Sequence, residues 1–265
     1  MQEIKNDVKK DIEKFYEKQS AEITAELNCW LNSGSVRIPE PALYYYFEDR
    51  KISTALKMAN LQLNAKILEI GCNLGQMTFE LHKKGFSIIG TDISPNAIEK
   101  AQLRMKHFQL SNISFEVQDA ENITGHNEGE FDGVFSFSAF RYMPNPEKAL
   151  KECFRLLKSK GRAVIDFPNK YCPWFLLLKP IAFALHKPAL YEKRHIHDHV
   201  FSAHQVKNMM ERAGFVDISI CQFLFTFKAL PGFLLPVVRP VDFILEHIPF
   251  IQKTAAIIMA KGIKP

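Results

Sequence analysis

The sequence has few cysteines and no C-x-x-C pair among them: the five, at 29, 72, 153, 172 and 221, are scattered and odd in number. That pattern argues against a disulfide framework or structural zinc and for a reducing, cytoplasmic setting. The first residues, Met-Gln-Glu-Ile-Lys, run into alternating charge and lack the apolar centre of a signal peptide, so export is not expected. Net charge is only +5, and no basic block interleaved with aromatics occurs outside the C-terminal part, so nucleic acid is not the expected partner. The greasiest stretch, residues 171–190, is cut by prolines and lysines and is too short to span a bilayer. What remains is 265 residues, 47% hydrophobic and 12% aromatic, enough for one core domain with additions.

The chain is organised around residues 66–78, KILEIGCNLGQMT. A short apolar run interrupted only by Glu69 breaks into Gly71-Cys72-Asn73-Leu74-Gly75, and a helical pattern opens at Gln76: a buried strand, a tight turn and a helix start. In a doubly wound sheet this first turn is where backbone approaches a nucleotide-like ligand. The dinucleotide fingerprint G-x-G-x-x-G would need glycine at 71, 73 and 76. Asn73 and Gln76 stand there instead, which argues against a nicotinamide cofactor.

The strand–helix alternation continues. Residues 86–90 read as a second strand ending in Thr91-Asp92, followed by a helix with Ser94 as cap and Pro95 in its first turn. Asp92 lies about 20 residues beyond the glycine turn, the spacing used to hold ribose hydroxyls. Residues 113–118 form a third strand ending at Asp119-Ala120, and 131–137 a fourth. A helix to 157, a turn at Lys160-Gly161 and a fifth strand over 163–167 follow, then a capped helix over 201–214, a sixth strand over 215–221 and a seventh over 255–261. Residues 1–31 read as an amphipathic helix with one break, and 42–60 as a second helix carrying Tyr44, Tyr45 and Tyr46, of which at least one should face solvent or ligand. The expected organisation is a helical cap over 1–60 and a core over 61–265.

With Glu69 two residues before Gly71, the glycine turn resembles motif I of the class I S-adenosylmethionine (SAM) methyltransferases, acidic-x-Gly-x-Gly-x-Gly; Asn73 departs at the middle glycine. Asparagine best tolerates a left-handed backbone after glycine, so the turn survives. The resemblance covers about two thirds of the chain and implies an α/β, Rossmann-like seven-stranded mixed sheet with a terminal antiparallel hairpin. It implies SAM as cofactor, contacted by Glu69, Gly71, Cys72, Asn73, Gly75, Gln76, Asp92, Ile93, Asp119, Ala120, Phe137 and Ser138, with Asp119 at the adenine edge. It also implies an N-terminal helix over the active site, with Tyr16 as a lid residue, and Tyr142 and Trp174 toward the acceptor.

Similar proteins carry a histidine just before an aromatic-Ser/Thr helix start, and His199-Val200-Phe201-Ser202 fits, making His199 the expected general base. His195, His197 and His199 could share one strand face, but no carboxylate sits at matching spacing, so no metal is expected. Ubiquinone-type relatives often have an acidic-His pair after the fourth strand, where this chain has Arg141-Tyr142.

Two apolar insertions, at about 171–200 and 223–250, are rich in Phe and Leu, carry Trp174 and are flanked by lysines and arginines. They suit a cap over the pocket or peripheral contact with a membrane. The function expected is methyl transfer from SAM to a small, hydrophobic or lipid-linked acceptor, on oxygen or carbon. A sugar or other polar acceptor, and a non-catalytic SAM-binding protein, are the alternatives; oligomeric state is left open.

Overall fold

The computed structural model describes residues 9–11, 13–14, 42–173, 199–226 and 231–265. Helix α1 (Ala42–Ala59) leads into β1 (Lys66–Ile70), α2 (Gln76–His82), β2 (Ser87–Asp92), α3 (Pro95–His107) and β3 (Ile113–Val117). The chain continues through β4 (Phe131–Ser136), α4 (Pro146–Leu156), β5 (Leu157–Pro168), α5 (Ala203–Arg212) and β6 (Val216–Phe223), then α6 (Leu235–Glu246), α7 (Pro249–Gln252) and β7 (Ile257–Ile263).

The seven strands form one sheet in the order β3-β2-β1-β4-β5-β7-β6. β1 through β5 pair in parallel, and β7 inserts antiparallel between β5 and β6. The order reverses between β1 and β4, so the ligand crevice of such a sheet falls outside the carboxyl ends of these two strands. Both faces are covered, which is why the central strands read as near-continuous apolar runs. Ile67, Ile88 and Phe135 pack under α1, α2 and α3, while Leu68, Val134 and Ile165 pack under α4 and α5.

Local signals explain the elements near the crevice. Ser94 Oγ accepts the Ala97 N–H and Pro95 opens α3. Ser202 and Gln205 exchange bonds in a capping box at the start of α5. The turn expected at Lys160-Gly161 is a left-handed Lys160 (φ 63°) inside a longer β5, where the pairing with β4 slips from Phe131↔Leu157 to Gly133↔Arg162. The fourth strand ends at Ser136 rather than Phe137, and the seventh runs two residues later than expected. Of the second apolar insertion, Phe223 closes β6 and residues 231–252 are mostly helical, with Pro236 in the first turn of α6, Pro249 opening α7 and only Pro240 inside a helix. Proline tolerated at a helix start is why this stretch is helical despite its punctuation. Most of the first insertion, residues 174–198, and most of the N-terminal cap lie outside the described residues, and with them Tyr16, Trp174, His195 and His197.

Candidate cofactor and acceptor site

The turn after β1 is stitched to the end of β2. The N–H groups of Gly71 and Cys72 both donate to the Thr91 carbonyl, at 2.7 and 2.9 Å, and the Asn73 N–H donates to Asp92 Oδ2 at 2.8 Å. Asn73 sits at φ 50°, the left-handed conformation its residue type favours. Gly71 and Gly75 are left-handed too, for a reason local to this fold: a Cβ on Gly71 would stand 2.2 Å from that of Ala139, and one on Gly75 2.6 Å from the Phe115 ring. The glycines therefore let the turn meet the loop after β4 and the side chain of β3. From below, the buried Arg104 guanidinium of α3 donates to the Leu74 carbonyl and stacks 4.2 Å over Phe79. Burial pushes that guanidinium down to about 9.

Asp92 spends one lone pair of each carboxylate oxygen on the turn and helix: Oδ2 takes Asn73 N–H, and Oδ1 takes Ser94 N–H at 3.0 Å. A carboxylate offers about four acceptor positions, and with the Ile93 N–H also bonding it the backbone takes three, leaving room for a ligand hydroxyl. Desolvation raises its pKa, against the backbone N–H groups of Ser94, Asn73 and Ile93 that lower it. Gly71, Asn73, Gln76, Asp92, Ile93, Asp119, Ala120 and Ser138 are all half-buried along the carboxyl edge of β1 to β4. Cys72 and Phe137 are buried and meet this edge from beneath. Burial raises the Cys72 thiol well above its ordinary value. Asp119 Oδ1 accepts the Glu121 N–H, while Lys9 Nζ lies 2.6 Å from Asp119 Oδ2 and 3.1 Å from Glu121 Oε2. Lys9 thus reaches the far end of the crevice.

Glu69 is 1% exposed and accepts from Thr78 Oγ1 at 2.6 Å, below the turn rather than in the crevice. Desolvation drives its pKa up to about 8.

A second charged group was not expected from the sequence. Lys51 of α1 is fully buried, its ammonium 2.6 Å from Asp166 Oδ2 on β5 and 2.7 Å from Ser138 Oγ. Asp166 Oδ1 in turn accepts the N–H of Ser138, which is left-handed at φ 61°. Burial alone would lower the Lys51 ammonium, but the carboxylates of Asp166 and Glu48 hold it above its ordinary value. The signal was present in both elements: Lys51 falls on the buried stripe Leu43, Phe47, Lys51, Ala55, and Asp166 is the one acid in an apolar strand. After Ser138, a single 3-10 turn (Phe140–Tyr142) buries Tyr142, and the Arg141 carbonyl accepts the His199 N–H at 2.8 Å. His199, half-buried, therefore sits beside the loop that follows β4. A separate groove of about 520 Å³, lined by Tyr45, Tyr46, Arg50 and Arg239 among others, lies between α1 and α6, away from the glycine turn. Among the described residues no cluster of histidine, cysteine and carboxylates is arranged to hold a metal ion.

The sheet order, the left-handed glycine turn and the acid closing β2 together define the class I SAM-dependent methyltransferase fold, and the turn has the glycines, backbone amides and carboxylate that such a cofactor requires. The chain belongs to the methyltransferase domain family, whose model matches residues 61–214, more than half its length. It is similar to a ubiquinone biosynthesis O-methyltransferase of Xanthomonas oryzae (26% identity, 46% of this chain and 47% of that one). It is also similar to the juvenile hormone acid O-methyltransferase of Bombyx mori (29%, 62% of each chain) and to a SAM-dependent Diels-Alderase of Talaromyces variabilis (29%, 68% and 60%). The chain thus spans about half the length of the ubiquinone relatives and under two thirds of the other two. The fold is shared with a SAM-dependent methyltransferase of Thermotoga maritima (TM-score 0.56, 19% identity, 84% of this chain and 94% of that one). It is shared too with the phosphoethanolamine N-methyltransferase 2 of Haemonchus contortus bound to SAM (0.58, 16%, 82% and 52%). The matched residues therefore form a methyltransferase domain.

Two predictions follow from the buried charges. Burial raises the Glu69 carboxyl to about 8 in the folded chain, whereas it ionises near the ordinary carboxyl value of 4.5 once unfolded. Its contribution to stability is therefore full below the lower value and is lost as pH rises toward the upper, on the order of a few kcal/mol. Thermal melts of wild type should fall between about pH 5 and about pH 8, and Glu69→Gln should flatten that fall; parallel curves for the two proteins would refute the assignment. Lys51→Met strands a buried carboxylate and should cost about 3–5 kcal/mol in denaturant unfolding. Adding Asp166→Asn, which keeps an acceptor for the Ser138 N–H, should regain much of it, and no recovery would show that the pair is not what holds this corner.

Proposed function

We propose that the enzyme methylates an oxygen or carbon of a small hydrophobic or lipid-linked acceptor entering beside Ser138, Tyr142 and His199. The observation that carries this reading is the apolar character of both segments that follow the core strands, one opening at Tyr171, which is 49% exposed, and the other at α6 and α7, where large apolar side chains face outward. The O-methyltransferase names of the ubiquinone and juvenile hormone relatives agree with it.

In this reading SAM lies over Gly71 to Gly75, with its ribose on Asp92 and its adenine near Asp119 and Ala120. The cofactor supplies an electrophilic methyl group for in-line displacement. The protein's part is alignment and exclusion of water, so no nucleophile on the chain is required. His199 takes the proton of an acceptor hydroxyl. Trp174 and the greasy run to Leu178, outside the described residues, cover the acceptor or touch a membrane, and the residues before α1 close the crevice as a cap with Tyr16 as a lid. A polar acceptor is the second reading, favoured by one observation: Lys51, Asp166 and the half-buried Arg141 concentrate charge at the same edge.

Incubation with labelled SAM and separate lipid and polar extracts of the source cells distinguishes the two, with label expected in the lipid fraction and label confined to the polar fraction overturning the proposal. Asp92→Ala should weaken SAM binding by about 1.5–3 kcal/mol in calorimetry, the range for a hydrogen bond to a charged acceptor; near-native affinity in a folded variant would remove Asp92 from the ribose. His199→Ala should lower turnover by about 10² to 10⁴-fold while leaving SAM affinity alone. A rate within a few fold of wild type would exclude it as the base.

A further inference from the structure

Helix α6 is amphipathic in the reverse of the usual sense. On a surface helix of a globular protein the apolar stripe faces the core and the charges face water. Here the two acids of the helix point inward. Asp242 is fully buried and accepts the Phe225 N–H at 3.0 Å and the Thr226 hydroxyl at 2.6 Å. Glu246 accepts the Leu224 N–H at 2.9 Å and pairs with Arg50 of α1. These bonds lock the orientation of the helix on the end of β6. They leave Val237, Phe243 and Ile244 of α6 more than half exposed, together with Phe233 just before it (79%) and Phe250 on α7 (82%).

Among the described residues of α6, α7 and the turn after them, the formal charges left exposed have one sign. Between residues 231 and 253 the acids are Asp242 and Glu246, both turned inward, while Lys253 is exposed on this face and Arg239, also exposed, stands at its edge beside α1, 5.8 Å over the Tyr46 ring and lining the same groove as Asp49. Lys253 Nζ lies 5.7 Å from the Phe250 ring. The face continues onto the segment after β5, because the Asn169 side-chain amide donates to the Lys253 and Ala255 carbonyls, which brings the exposed Tyr171 and its neighbour Lys170 alongside. Large apolar side chains interleaved with cations, with no exposed carboxylate among the described residues 231–253, suit a surface that is greasy within and negative at its boundary. A second copy of the chain would set Arg239 and Lys253 against like charge.

We propose that the outer face of α6 and α7 docks the enzyme on an anionic phospholipid bilayer, with Phe233, Val237, Phe243, Ile244 and Phe250 entering the headgroup boundary and Arg239 and Lys253 meeting lipid phosphates. The proposal rests on the membrane part of the reading above and gives it a location, but it does not depend on which molecule is methylated. No helix among the described residues is long and apolar enough to cross a membrane, so the contact is peripheral and reversible.

The test is co-sedimentation of the full chain with phosphatidylcholine vesicles made with and without phosphatidylglycerol, SAM titration calorimetry serving as the check on folding. Wild type should sediment with the anionic vesicles and be released by salt. Val237→Glu with Phe243→Glu, both at exposed positions, should reduce the bound fraction about tenfold or more with SAM affinity unchanged. Arg239→Glu with Lys253→Glu should also release it. Wild type remaining in the supernatant, binding both vesicle types equally, or a wild-type dimer that the Val237→Glu, Phe243→Glu variant makes monomeric would overturn the proposal. If that variant still binds like wild type while Trp174→Glu with Leu177→Glu does not, the membrane reading survives but this face is not the contact. Loss of SAM binding in wild type itself would instead strike at the cofactor assignment.

Discussion

Everything at the crevice depends on the last two residues of β2. Thr91 offers its carbonyl to two successive N–H groups of the turn after β1, and Asp92 takes a third. A backbone that must turn left-handed at Gly71, Asn73 and Gly75 would otherwise leave these donors without partners at a half-buried site, a costly arrangement. Because Asp92 also receives the Ser94 N–H, one carboxylate fixes both the turn and the start of α3, and the cradle does not need a ligand to hold its shape. Pre-organisation of this kind spares the ordering cost that binding would otherwise carry.

Around this turn the protein buries more charge than a hydrophobic core of its size requires. Arg104 holds the turn from below, Glu69 lies buried beneath it with desolvation raising its carboxyl to about 8, and the Lys51–Asp166 pair holds the loop after β4 through both the side chain and the backbone of Ser138. Replaced by well-packed apolar groups, such a pair would often leave the fold equally stable, so its retention points to the geometry it imposes. Here the imposed geometry is the left-handed Ser138 beside Ala139, the residue whose methyl group leaves no room for a Cβ at Gly71. The glycine turn and the loop after β4 are thereby fixed against each other from two sides. At the other end of the molecule the same logic runs outward: Asp242 and Glu246 anchor α6 by its polar side and leave its apolar side to the surroundings.

The order of strands and helices was legible because each carries a local signal: apolar runs of strand length, Ser94 and Ser202 as caps, Pro95 and Pro146 in first helical turns, Gly214 after α5. The glycine turn was legible for the same reason, down to the left-handed conformation of Asn73. What could not be read were contacts between residues distant in the chain. Lys51 and Asp166 each look like an isolated irregularity until the sheet brings α1 and β5 together. Gly71 was expected to be glycine so that a ligand could approach, yet the nearer reason is Ala139, which no local pattern reveals. α6 was read as an apolar insertion broken by prolines, because the bonds that define it lie between Asp242, Glu246 and the residues after β6.

The central claim is that SAM occupies the turn between β1 and α2 rather than any other hollow of the molecule. Amide chemical shifts recorded as SAM is titrated into the isotopically labelled wild-type protein test it directly. The largest changes should fall on Asn73, Gly75, Asp92, Ile93, Asp119, Ala120 and Ser138. Changes centred instead on Tyr45, Arg50 and Arg239 in the groove between α1 and α6, or no changes at saturating SAM, would contradict it.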